Sequence, residues 1–237
     1  MTLPSDVLPR LLRLDPGAPR ITCYDDTDAP TRGERIELSA KVLTNWVSKA
    51  ANLLQDEFDV STGTSVRLAL PAHWRTAYWA LACWSVGATV VLATEQQTPD
   101  PDDLTLTITD DPVLAAGADP CVLVTLAGLA RSATPPPPPG VMDEARELAT
   151  FPDAFAAWDE PDASAPALVH GGERTAYRDL VGDGSGDRRH LLDPDLHTFL
   201  RTALDTWSAG GSIVLTRGVP DEHTLARRMA AEHVTAS

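Results

Sequence analysis

Residues 65–93 read SVRLALPAHWRTAYWALACWSVGATVVLA. Ser65 to Leu70 has the composition of a strand and Pro71 ends it. His73 to Val86 is rich in Trp and Ala, and Gly87 closes that run as a helix C-cap. Ala88 to Ala93 follows as a more continuously apolar strand. Strand, helix and apolar strand in this order make a βαβ unit whose parallel strands are buried on both faces. The fold class is therefore α/β.

Within this unit Trp74, Tyr78, Trp79 and Trp84 admit two readings, an aromatic ligand wall or two faces of one packed helix, and their spacing favours packing. Upstream, Ile21 to Tyr24 is extended and Asp25 to Gly33 is rich in turn residues. Ser39 is then placed as an N-cap, with Leu38 positioned to staple onto Leu43. Leu43, Trp46, Val47, Ala50, Leu53 and Leu54 recur at helical spacing up to about Phe58. Lys41 and Lys49, the chain's two lysines, fall on one side of this helix, where solvent exposure is expected.

Downstream, Asp100 to Asp103 reads as an acidic turn. Its D-x-D-D lettering also occurs in proton-initiated terpene cyclases, but the long helical context of those enzymes is missing. Leu104 to Thr109 and Cys121 to Leu126 read as strands with a short loop or helix between them. At Arg131 the composition changes: Pro135 to Pro139 are five prolines, which favour an extended spacer. Acidic, Ala/Pro-rich sequence runs on to Pro166, with short helices expected near Asp143 to Leu148 and Asp153 to Trp158. The organisation expected is a first α/β subdomain over 1–130, a linker or surface excursion over 131–166, and a smaller α/β portion over 167–237 packing on the first.

In that last portion Ala167 to His170 is expected as a strand, Thr175 to Val181 as a short helix and Gly182 to Gly186 as a flexible turn. The glycines of that turn suggest a dinucleotide loop, yet they lack its last spacing and follow a helix. Ser185 does not sit in a nucleophile elbow. His190 to Leu192 is extended, Asp195 to Ser208 helical, Ser212 to Thr216 a strand and Asp221 to Glu232 a helix.

Composition narrows the function classes. With 34 acidic residues against 19 basic the formal charge is −15, a field that repels nucleic acid and anionic membrane. No apolar run reaches the length of a membrane span and the N-terminus lacks a signal-peptide pattern, so a cytoplasmic protein is expected. Cys23, Cys83 and Cys121 offer neither a disulfide framework nor a zinc spacing and read as buried small hydrophobes.

Taken in order, several stretches carry a resemblance. Gly33-Glu-Arg-Ile-Glu-Leu-Ser39, the helix ending Lys49-Ala-Ala-Asn-Leu-Leu54, Gly63, Leu68-Ala-Leu-Pro-Ala-His-Trp74 and Ala80 to Leu92 resemble the opening of the acyl-adenylate-forming superfamily, the AMP-dependent synthetases and ligases that include acyl-CoA synthetases. Pro194-Asp-Leu-His197, Gly210-Gly-Ser-Ile-Val-Leu215 and Glu232-His-Val-Thr235 are similar to a later segment of the same family. The resemblance implies layered sheets with flanking helices, as in the N-terminal subdomains of these enzymes.

It also implies where chemistry would sit. The family's phosphate loop, of the type T-S-G-T-T-G-x-P-K-G, falls near Leu168 to Arg178, where this chain has Val169-His170-Gly171-Gly172-Glu173-Arg174-Thr175-Ala176-Tyr177-Arg178. Two glycines and a hydroxyl remain, Pro-Lys-Gly is lost, and Glu173 brings a charge that opposes a triphosphate. A hairpin turn at Gly171-Gly172 is the expectation from the residues themselves, with Arg174 or Arg178 left to grip an anion. His197 matches the family's His at the edge of the acyl pocket, the alternative being a helix cap.

The later family elements, including the lid lysine, have no counterpart up to residue 237. The resemblance thus implies a truncated, degenerate, non-catalytic domain that binds a small acyl-type ligand or a partner. No cofactor is expected, with ATP or AMP as the residual candidates, and no metal. A homodimer or protein partner covering exposed core is expected. The rival is a ligase-type enzyme completed by another polypeptide. A third reading takes Ala167 to Leu180 as a second copy of the family's opening segment, against which stands the lack of a long helix after Val181.

Overall fold

The computed structural model describes residues 2–93 and 104–234. The acidic stretch Asp100 to Asp103 lies outside the described residues. The chain begins with a helix that the sequence reading did not anticipate, α1 (Pro4–Leu14). Its signals are nevertheless local: Pro4 opens it, the Asp6 carboxylate accepts the Leu3 N–H at 2.8 Å, and Val7, Leu8 and Leu11 form the buried stripe. β1 (Pro19–Asp25) and β2 (Arg35–Ser39) pair antiparallel, and α2 (Ala40–Phe58) starts on the Ser39 cap, whose hydroxyl accepts from the Val42 N–H.

The βαβ unit follows as read: β3 (Ser65–Ala69), α3 (Trp74–Ser85) and β4 (Thr89–Leu92), with β3 and β4 parallel. Every residue from Trp74 to Trp84 is buried, because α3 packs against α1, α2 and strands of both sheets. The tryptophans are therefore core, and no ligand wall exists in this helix. Cys23, Cys83 and Cys121 are buried free thiols, and burial pushes Cys121 up to about 11.

β5 (Leu106–Thr109), α4 (Pro112–Gly117), β6 (Cys121–Leu123), β7 (Val141–Asp143) and α5 (Glu144–Glu147) come next. β8 (Pro166–His170) and β9 (Glu173–Ala176) form a hairpin, followed by the single-turn α6 (Tyr177–Leu180), so the expected helix over Thr175 to Val181 begins as strand at Thr175 and Ala176 and is helical from Tyr177. β10 (Arg188–Leu192), α7 (Leu196–Ser208), β11 (Ser212–Arg217) and α8 (Glu222–Ala231) complete the described chain.

Two sheets result. One has the order β10-β11-β1-β2, the other β7-β6-β5-β3-β4-β8-β9. Both draw strands from either side of residues 131–166, and β7 of that stretch joins the larger sheet. The helix expected over Asp153 to Trp158 does not form. Instead the segment runs irregularly along α2, whose side chains take up its backbone groups: Lys49 donates to the carbonyls of Ala149 and Phe151, Asn52 to those of Pro152 and Ala154, and Gln55 to Ala156 while accepting from the Trp158 N–H. Lys49 is thus tied to backbone rather than solvated. Among the described residues no helix is long and apolar enough to cross a membrane.

Candidate functional site

The segment where the resemblance implies a phosphate loop, His170 to Thr175, is a tight hairpin. His170 pairs with Glu173, which leaves Gly171 and Gly172 alone in the turn at φ +57 and +81. Two successive positive φ values belong to a two-residue hairpin turn and favour glycine at both places. Alternation along β8 and β9 then divides the candidate residues between faces. Arg174 stands opposite Val169 and lines a cleft of about 500 Å³ with Thr62, Ser65 and Thr89 at the amino ends of β3 and β4. His170, Glu173 and Thr175 belong to the other face. Arg178 is exposed beside Asp179, 3.4 Å away.

His170 meets His197. Their rings stack with centroids 4.4 Å apart and planes 7° apart, so the structure brings together the two histidines that the sequence placed in separate motifs. His197 is not the cap of α7; Asp195 is, accepting the Thr198 N–H at 2.8 Å and its hydroxyl at 2.7 Å. Burial, then the neighbouring His170, lowers the His197 pKa, with Asp195 and Glu173 opposing and Arg201 adding to the shift. Burial alone would raise Asp195, but the Thr198 groups outweigh it and hold the carboxyl low. Among the described residues no three His, Cys, Asp or Glu side chains gather to hold a metal.

Gly182 to Gly186, the other glycine loop, packs on the end of α7. A Cβ on Gly184 would lie 1.9 Å from the Asp205 carbonyl oxygen, and the Gly182 N–H donates to the Asp205 carboxylate at 2.7 Å. These glycines permit close packing.

A second polar group, missed by the sequence reading, gathers where β1, β3, β5 and β11 end. Arg217 and Asp25 form a buried ion pair, and Asp25 also accepts from the Thr31 hydroxyl at 2.6 Å and the Thr27 N–H at 2.9 Å. Thr27, Thr31 and Arg217 lower the Asp25 pKa against its burial. Nearby His73 is buried and accepts the Arg75 N–H on Nδ1 at 3.2 Å; burial, then Arg217 and Arg75, pushes it well below the imidazole range, so it is neutral. Burial raises Asp110, which borders a pocket of about 180 Å³ with Pro112, Leu123, Leu126, Ala133 and Pro135. The chain leaves β3 toward β4 but leaves β5 toward β6, so the carboxyl ends of β3 and β5 flank a topological switch point, the usual ligand position of open α/β sheets. No spacing links residues 25, 73, 110 and 217; their common signal is a place just past a strand end.

The third reading also has a geometric outcome. Both hairpins, β1–β2 and β8–β9, carry a register irregularity just after a proline, at Pro19/Ile21 and Pro166/Leu168. The helices after them differ, with 19 residues in α2 and 4 in α6.

No family model matches the chain. Among solved structures, it superposes on Klebsiella oxytoca NpsA in complex with 3-hydroxyanthranilyl-AMSN with a TM-score of 0.64 at 16% identity, covering 99% of this chain and 47% of that one. The N-terminal subdomain of NpsA in complex with anthranilyl-AMSN gives 0.65 at 16%, covering 99% and 58%. A Mycobacterium tuberculosis fatty acyl CoA synthetase gives 0.65 at 13%, covering 98% and 48%. The fold is that of the N-terminal subdomains of adenylate-forming enzymes, and the chain spans about half the length of these structures. A Mycobacterium tuberculosis protein named as a TIGR03089 family protein is 34% identical over 99% of this chain and 97% of its own length. With that identity over nearly both full lengths, the chain belongs to the TIGR03089 family.

Proposed function

We propose that this protein is a degenerate adenylate-forming domain that makes no adenylate and binds a small acyl-type molecule without converting it. The observation that carries this reading is the Gly171-Gly172 turn. Adenylation brings a carboxylate onto an α-phosphate, and the charge that develops must meet cations and aligned N–H donors. A two-residue turn presents no cradle of that kind, and Glu173 beside it opposes a polyphosphate. Lys49 is engaged with backbone carbonyls, and Lys41 is exposed on the same helix.

Binding of an acyl-type molecule is supported by the fold, which in NpsA accommodates acyl-AMSN compounds, and by His197 at the position that resembles the family's acyl-pocket edge. ATP and AMP are not required. The decisive assay is pyrophosphate release from ATP and Mg²⁺ over a panel of fatty and aryl acids, paired with thermal denaturation in the presence of the acids, AMP, ATP and CoA. A rise in melting temperature with an acid and none with nucleotide supports the reading, because a ligand of the native state stabilises it by mass action. Turnover by the purified chain would refute it.

A partner surface is a second reading, favoured by Val113 and Leu129, which are 81% and 93% exposed. Light scattering at micromolar concentration separates a dimer from a monomer.

A further inference from the structure

The His170–His197 stack joins parts of the molecule that share no strand. His170 ends β8 in the seven-stranded sheet, whereas His197 opens the helix leading into β11 of the other sheet. Face-to-face rings 4.4 Å apart suit two neutral imidazoles. Two imidazolium ions at that separation repel, and more strongly in a partly buried place than in water. Moreover, Nδ1 of His170 is buried and has no hydrogen-bond partner among the described residues, so a proton there would leave an N–H with no acceptor among them.

The charged groups around the pair are Glu173 on β9, Asp195 at the α7 cap and Arg201 further along α7. The two carboxylates favour a proton on His197 and Arg201 disfavours it. Asp195 already accepts two bonds from Thr198, and Glu173 is exposed. Among the described residues neither carboxylate is hydrogen-bonded to either ring. The lowered pKa of His197 agrees with this arrangement.

We propose that the His170–His197 stack is a proton-operated latch. With both rings neutral it holds the Gly171-Gly172 turn against the first turn of α7; charge on both rings separates them and frees the turn. Its use as a gate to an acyl site rests on the binding reading above, whereas the latch itself rests on the stack.

The test is NMR of the full ¹⁵N-labelled chain between pH 8 and pH 5, following both imidazoles and the Gly171 and Gly172 amides, with amide exchange corrected for its intrinsic pH dependence. The expected result is that the Gly171 and Gly172 amide shifts follow the imidazole shifts through a single transition, with exchange over residues 171–174 rising at least about tenfold, which corresponds to about 1.4 kcal/mol. H197F keeps an aromatic ring that cannot ionise and should abolish the response. H170Q removes the stack and should leave the turn free at every pH. Independent titration of the rings with unmoved glycine amides, or an H197F variant that responds like the parent, would overturn the latch. Should H197F not fold, the parent titration and H170Q decide. Decanoate titrated into the same samples separates the two readings: a working latch without decanoate binding removes only the binding reading, and binding without the coupled titration removes only the latch.

Discussion

Arg75 donates to Glu144 across 2.8 Å with both side chains buried, and so ties α3 to α5 over a separation of 69 residues. The Tyr78 hydroxyl binds the same carboxylate oxygen, and the second Arg75 amino group donates to the Ala127 carbonyl at 2.9 Å. Breaking such a pair strands a charge in a poor solvent, while removing both members costs less. R75M should lower unfolding free energy by about 3 kcal/mol in urea denaturation at pH 7, and R75M/E144L should recover about half of that. A double variant as unstable as the single one would show that the pair is not the source of the loss.

Helix α8 has no fully buried residue and is fastened by charge. Just past its end, Glu232 accepts from Tyr24 at 2.6 Å, Arg35 at 2.8 Å and Arg188 at 3.0 Å, while Arg228 grips Asp26. Burial pushes Glu232 up, but these partners outweigh it and hold the carboxyl below its ordinary 4.5. A depressed carboxyl contributes stability above its unfolded pKa and loses it as pH falls through the folded one. E232Q should therefore be less stable than the parent at pH 7 by about 1 kcal/mol, with the difference shrinking between pH 5 and pH 3. Amide exchange across α8 should accelerate in E232Q while α2 is unchanged.

His73 gives a separate pH limb. It stays neutral in the fold, whereas the unfolded chain takes up a proton near 6.5. The sign follows from linkage: the unfolded state binds more protons below that value, so stability falls as pH drops beneath it. Asn can also cap α3 by accepting the Arg75 N–H. H73N should reduce the fall of the melting temperature between pH 6.5 and pH 5, leaving the part that His190 and His197 contribute, without changing the loss below pH 4.

Gly184 tests close packing. Its Cβ would collide with the backbone of α7 at Asp205, so G184A should cost about 2–3 kcal/mol. Gly117 has open space around its missing side chain and an ordinary φ, so G117A in the same assay should change stability by less than about 0.5 kcal/mol. Equal effects of the two would contradict the packing described.

Much of the fold was legible because its signals are local. The βαβ unit of residues 65–93, the Ser39 cap and the Gly171-Gly172 turn each depend on residues a few positions apart, and each formed as read. The helix expected over Asp153 to Trp158 is replaced by tertiary contacts: Asn52 and Gln55 of α2 bind the backbone groups of Ala154, Ala156 and Trp158. The strand inside Thr175 to Val181 was hidden because a two-residue turn let β9 pair at once with β8.

The sequence alone determined the α/β class, the burial of the cysteines and of Trp74, Trp79 and Trp84, and the two-residue turn at Gly171-Gly172, since propensity, periodicity and residue identity are properties of short stretches. Only the tertiary structure decided that His170 lies on His197, that Arg217 reaches Asp25 across 192 residues, and that Arg174 belongs to a different face from both histidines. Those relations depend on strand order and sheet packing, which are set by the burial of the whole core and leave no spacing to read along the chain.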